Sequence, residues 1–177
     1  KNMTDPTGAQ FYQNTQEKIT VLSSKTLFFC LSLNKIPAKE YNAKLKSSAK
    51  LRRFEPWLRD VRAFAPYQLS DELEKLLHEK SVAGRAAWNR LFDETIAGLR
   101  FAYDKEILTE PQIFTKLSDT NPAVRKKAAL SIGVVFKEKA PLFALITNTL
   151  AKDKEIEDNW RGFKAPISSR NVSNYIE

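Results

Sequence analysis

A chain of 177 residues with one cysteine and one histidine has little with which to hold a metal or run thiol chemistry. Cys30 stands alone, so no intrachain disulfide can form, which leans towards a reducing, cytoplasmic location. His78 is also single, so a tetrahedral His/Cys site would need carboxylates or another chain to complete it. Five glycines supply no Gly-rich phosphate loop. The longest apolar run, around TLFFCLSL, is too short to cross a bilayer, so no membrane partner is expected. The chain opens on Lys1 without a basic-then-apolar leader, and a trimmed or internal piece of a longer polypeptide is expected.

What is present is globular in composition. Hydrophobic residues make up 42%, enough for the core of one domain or two small subdomains. Twenty-nine basic against 21 acidic residues leave a net charge of +8, which suits an anionic partner without establishing one. The basic clusters are KLRR at 50–53, the pair Arg59 and Arg62, and VRKK at 124–127. Glu55, Asp60 and the DKEIED run interrupt them, and no recognition helix, RNA-binding aromatic motif or basic tail accompanies them. A solvated helical surface is the preferred reading, with no nucleic-acid partner.

Hydrophobic periodicity points to an all-α fold, mainly helical with at most one small β-hairpin. From Gln10 to Asn34, Tyr12, Thr15, Ile19, Leu22, Thr26, Phe29, Cys30 and Leu33 recur at three- and four-residue steps. Val21, Phe28 and Leu31 add a second apolar face, as on a helix covered from more than one side. Tyr41 and Leu45 suggest a second, mostly polar helix after Pro37, and a short helix should start near Pro56 and stop before Pro66. Asp71 is the expected cap of the next helix, with Glu74 at capping-box spacing and Leu73, Leu76 and Leu77 as its stripe. A helix over about 84–99 has the stripe Trp88, Leu91, Phe92, Ile96 and Leu99. RFAYDKEIL reads as a hairpin turning at Asp104–Lys105. Thr109 and Asn121–Pro122 start two more helices, Pro141 should break or bend the second, and a final helix should run from Leu142 to Trp160. DTNPAVRKKAALSIGVVF is like one HEAT-type repeat, but a solenoid needs several copies and no second is found. The whole is one helical region, 1–177. Any subdivision would be helices over 1–100, hairpin plus helices over 101–160, and a loose tail over 161–177.

HEKSV at 78–82 is half of HExxH, the helical zinc-binding signature. Two imidazoles four residues apart are needed on one helix face, and Val82 stands where the second should be. On a helical wheel His78 falls away from the leucine stripe, towards solvent or another domain. Cys30, in an apolar helix, reads as an inert thiol and forms no nucleophile motif with His78. Asp93–Glu94, Asp104 with Glu106, and Asp153 with Glu157 are spaced as surface charges rather than as an acid–base pair in a cleft. No catalytic or metal residue is assigned, and substrate-binding residues stay unassigned.

Three segments carry a more specific signal: DPTGAQFYQN at 5–14, WLRDVRAFAPYQLSDELEKLLHEKSVAGRAAWNRLFDET at 57–95, and ITNTLAKDKEIEDNWRGFKAP at 146–166. Together they closely resemble the oligoendopeptidase F branch of the thimet-oligopeptidase-like zinc metallopeptidases. SSRNVSNYIE is similar to the segment that follows in that family, with Asn171 where histidine is more usual. The resemblance implies a largely helical enzyme, about three times longer than this chain, that cleaves internal bonds of short peptides in a deep cleft. Zinc would be held by the two histidines of HExxH and a downstream glutamate, with the motif glutamate activating water.

None of those residues maps here. The resemblance is to the N-terminal, non-catalytic portion, so no cofactor is expected in this chain and zinc belongs to a missing catalytic part. That C-terminal part, and short peptides as substrates of the intact enzyme, are the partners implied. This segment would form a wall or cap of the cleft and be inactive alone. Arg59, Arg62, Arg85, Trp88 and Arg90 are interdomain or peptide-facing candidates, against plainer surface roles for the arginines and a core role for Trp88. Surface made for the missing part should appear as an exposed apolar patch or be covered in an oligomer. The alternatives are a stand-alone helical interaction module and, further behind, a basic nucleic-acid-binding domain.

Overall fold

The computed structural model describes residues 5–176, which are helical apart from one two-stranded hairpin. In chain order these are α1 (Pro6–Lys35), α2 (Ala38–Ser47), α3 (Ala49–Arg52), α4 (Glu55–Arg62), a 3-10 turn (Ala65–Tyr67), α5 (Asp71–Lys80), α6 (Arg85–Gly98), β1 (Phe101–Tyr103), β2 (Glu106–Leu108), α7 (Glu110–Lys116), α8 (Pro122–Arg161) and α9 (Ser168–Ser173). None of these helices is long and apolar enough to cross a membrane. The chain divides into two compact units, one of residues up to Thr15 with Ala83–Ala151, the other of Gln16–Val82 with Lys152 onward. Helices α1 and α8 each supply residues to both.

The first unit is organised by its hairpin. Phe101 pairs with Leu108, Ala102 with Ile107 and Tyr103 with Glu106, leaving Asp104–Lys105 as the expected two-residue turn. Asp104 takes the left-handed conformation (φ 55°), which a short polar side chain tolerates. Alternation along the strands buries Phe101, Tyr103 and Leu108 and turns Ile107 to solvent. The buried three join Leu99, Ile113 and Ala128 in one core. At Ala128 the α8 backbone side comes close to this core. One residue earlier Lys127 pairs with Asp104, and one turn later Ser131 Oγ donates to Ala102 O at 2.7 Å. Both expected helix starts are capped. Gln112 Oε1 reaches back to the Thr109 amide at 2.8 Å, and Asn121 Oδ1 accepts from the Ala123 amide at 2.9 Å.

Pro141 does not end a helix: α8 runs through it for 40 residues. Proline there removes one intrahelical donor and leaves the carbonyl four residues earlier without its usual partner. Pro141 and Lys137 are both exposed, so water can satisfy that carbonyl. The helix instead stops at Gly162, whose φ of +76° reverses the chain. The Phe163 amide bonds back to Asp158 O at 2.9 Å and the Gly162 amide to Asn159 O at 3.2 Å, a Schellman cap.

The second unit buries Leu31, Leu45, Leu58 and Phe163. Residues 23–35 of α1 lie against α5, with Lys35 bonded to Asp71 at 2.6 Å near one end and Ser24 Oγ to Glu79 at 2.8 Å near the other. Carbonyls in the last turns of α1 also accept from side chains, Leu33 O from Arg62 and Leu31 O from Gln68. The cap of α5 is Ser70, not Asp71. Ser70 has extended backbone and its Oγ accepts from the Leu73 amide, which leaves Asp71 free to pair with Lys35. The segment expected to be a loose tail contains the short helix α9, tied to α8 where Lys154 donates to Pro166 O and Ser169 Oγ, both at 2.8 Å.

The two glycines on α8 and its cap should respond oppositely to alanine. A Cβ at either site meets nothing within 4 Å, so backbone conformation alone decides. Gly133→Ala, inside the helix, should stabilise by about 1 kcal/mol, whereas Gly162→Ala should cost about 1 kcal/mol. Urea titration of both variants measures the contrast.

Candidate functional site

The HEKSV candidate begins on α5, whose inward face takes in only part of the leucine stripe. Leu76 is half exposed, while Glu74 and His78 turn inward beside Leu73 and Leu77. Polar groups there must be partnered, and each is. Glu74 Oε1 accepts from Arg161 Nη1 at 2.6 Å and from the Leu69 amide at 2.9 Å, and Oε2 accepts from Arg161 Nη2 at 3.0 Å. Arg161 also donates to Glu157 at 2.8 Å and to Tyr67 O at 3.2 Å. Burial pushes the Glu74 carboxyl up, but the hydrogen bonds from Arg161 and the Leu69 amide, with the guanidinium charge, outweigh it and hold it below the ordinary value. Glu74 is therefore no capping-box residue.

His78 faces α1, not solvent. His78 Nε2 and Ser23 Oγ share a hydrogen bond at 2.8 Å, with Ile19 O and Thr20 O also in reach of the hydroxyl at 2.8 and 3.1 Å. Beside it Glu79 accepts from Ser24. A shallow groove of about 580 Å³ follows, lined by Glu17, Thr20, Ser24, Lys75, Glu79 and Val82 among others. These residues do not fit zinc. One imidazole nitrogen is occupied by a hydroxyl, an isopropyl group stands one turn on, and Glu79 is bound to Ser24 and near Lys75. No group of three or more His, Cys, Asp or Glu able to hold a metal occurs among the described residues.

The other candidates separate by unit. Cys30 is half-buried in α1. Glu94 pairs with Arg90 at 3.7 Å, Asp104 with Lys127, and Glu157 with Arg161, so these carboxylates serve ion pairs. On α6, in the first unit, Arg85 is exposed and Trp88 half-buried. In the second unit Arg59 and Arg62 line a groove of about 600 Å³ with Tyr41, Arg52, Glu55, Pro56 and Ala63. The Arg62 guanidinium lies over the Tyr41 ring at 4.5 Å, and Arg59 Nη2 pairs with Asp60 at 3.1 Å. Tyr41 and Arg161 were not singled out as functional residues from the sequence. Nothing local in the sequence names Glu74 as the partner of Arg161.

A helical module with no metal-capable cluster among the described residues is the class these features define. Residues 32–101 match the N-terminal-domain family model described as Oligopeptidase F. Over that stretch, 70 of its 177 residues, the chain is similar to the N-terminal domain of oligopeptidase F enzymes. The match contains all of the 57–95 segment and stops short of 5–14 and 146–166. Comparison with curated proteins and with solved structures returns no match.

Two outcomes test this geometry. Glu74→Ala or Arg161→Ala should each cost about 2–4 kcal/mol, and the double variant much less than their sum. Because the folded Glu74 carboxyl titrates low, its contribution is full above the unfolded glutamate pKa of about 4.3 and fades as pH falls through the lower folded value. Glu74→Gln should flatten that acid limb in denaturation curves taken from neutral pH downward. Separately, His78→Ala should cost about 1 kcal/mol for the lost Ser23 bond, and saturating zinc should leave the melting temperature of both proteins unmoved. A zinc-dependent rise seen only with His78 present would contradict the fit.

Proposed function

We propose that this chain is the non-catalytic N-terminal segment of a cytoplasmic zinc-dependent oligopeptidase, forming part of the wall or cap of the cleft in which short peptides are cut at internal bonds. The observation that carries the reading is the family match over residues 32–101. In this reading the hydrolytic groups belong to a catalytic part of the same polypeptide. A wall of packed helices limits access by bulk, favouring short flexible peptides over folded proteins, and closure of such a wall excludes water.

Exposed apolar side chains offer surface for that catalytic part or for another copy of the chain. On α1 these include Val21, Leu22, Phe28 and Phe29, and on α8 Leu130, Val134 and Leu145 recur at steps that share one helix face. In this reading the chain alone is inactive. Assayed with internally quenched peptides of increasing length, the 177-residue chain should hydrolyse none, with or without zinc. The polypeptide that also carries the HExxH part should cleave the short ones by preference. Hydrolysis by the chain itself, or the same length preference from the catalytic part without it, would overturn the proposal.

A further inference from the structure

The positive charge of this protein is not spread evenly. Between Lys35 and Arg62 lie nine Lys and Arg against three Asp and Glu, so this short stretch holds six of the chain's eight net positive charges. Within it the second-unit groove of about 600 Å³ is lined by Tyr41, Arg52, Glu55, Pro56, Arg59 and Arg62. The three guanidiniums differ in state. Arg62 is fixed, its Nη1 bonded to Leu33 O and its Cζ over the Tyr41 ring at 4.5 Å. Arg59 is 74% exposed and, among the described residues, pairs only with its neighbour Asp60, a surface contact of small worth that an incoming carboxylate can exchange. Arg52 is exposed and, among the described residues, makes no ion pair or side-chain hydrogen bond.

We infer that this groove binds acidic peptide segments. Guanidinium forks match carboxylates in bidentate geometry, and clustered arginines are a recurring mode of acidic-motif recognition. The rest of the lining selects a peptide over a polyphosphate. Glu55 opposes a chain that carries a charge on every unit, yet accepts from peptide N–H groups, and the Tyr41 ring and Pro56 give an apolar floor for side chains between carboxylates. The inference rests on charge and shape in this chain alone, so its failure leaves the peptidase reading standing.

The test is fluorescence anisotropy with a labelled glutamate-rich peptide bearing a free C-terminus, against its glutamine counterpart with an amidated end, at physiological salt. The glutamate peptide should bind at least about ten-fold tighter. Arg52→Ala with Arg59→Ala should lose about ten-fold of that affinity, whereas Lys126→Ala with Lys137→Ala, removing the same charge from exposed α8 positions, should change it less than about two-fold. Both arginines are exposed, and unchanged melting curves confirm that the fold is retained. Binding of neither peptide, equal binding of the two, or equal losses in the two double variants would each overturn the inference. So would displacement of the acidic peptide by a single-stranded oligonucleotide at a lower concentration than unlabelled acidic peptide requires.

Discussion

The second unit depends on a carboxylate and a guanidinium withdrawn from water together. Glu74 and Arg161 keep only 13% and 17% of their side-chain surface, and neither could sit there without the other. Their geometry answers the desolvation cost: two bonds between them, a backbone amide on Glu74, and Glu157 and the Tyr67 carbonyl on Arg161. The pair holds the end of α8 against the start of α5, 87 residues away in the chain. The reversal at Gly162 then brings Phe163 onto the Tyr67 ring at 3.9 Å, so the same turn is held by its carbonyl and by its ring. The bonds from Lys154 to Pro166 and Ser169 extend the attachment into α9.

Legibility followed the range of the physics. Features governed by a few adjacent residues could be read directly: the caps at Thr109 and Asn121, the hairpin turn at Asp104–Lys105, and the long helix through Tyr12 and Leu33. Local rules failed where two local solutions competed. Ser70 and Asp71 are both good caps; Ser70 takes the position, and Asp71 pairs with Lys35 instead. Pro141 failed for a related reason: on an exposed face a missing donor costs too little to stop a helix already held by packing on both sides of it.

The same division explains the HEKSV fragment. Its spacing excluded a two-histidine zinc helix from sequence alone, and its surroundings in 57–95 carried the family likeness that the match over 32–101 supports. Its orientation was misjudged, because a helical wheel ranks residues by their own hydrophobicity. His78 and Glu74 face inward through bonds to Ser23 and Arg161, groups that no window around α5 contains. Arg59 and Arg62 were visible as basic residues, but the groove that gives them a shared surface needed Tyr41 and Arg52 brought to the same place.

By itself, then, the amino-acid order determined the helical class, the hairpin, the capped starts and the family to which the 57–95 stretch points. Each rests on periodicity, turn chemistry or the order of many residues along the chain. Only tertiary structure decided which polar groups go inside and which charges neutralise one another. Those outcomes are set by pairings between residues 55 and 87 positions apart, whose energies exist only once the chain has brought the partners together and removed the water between them.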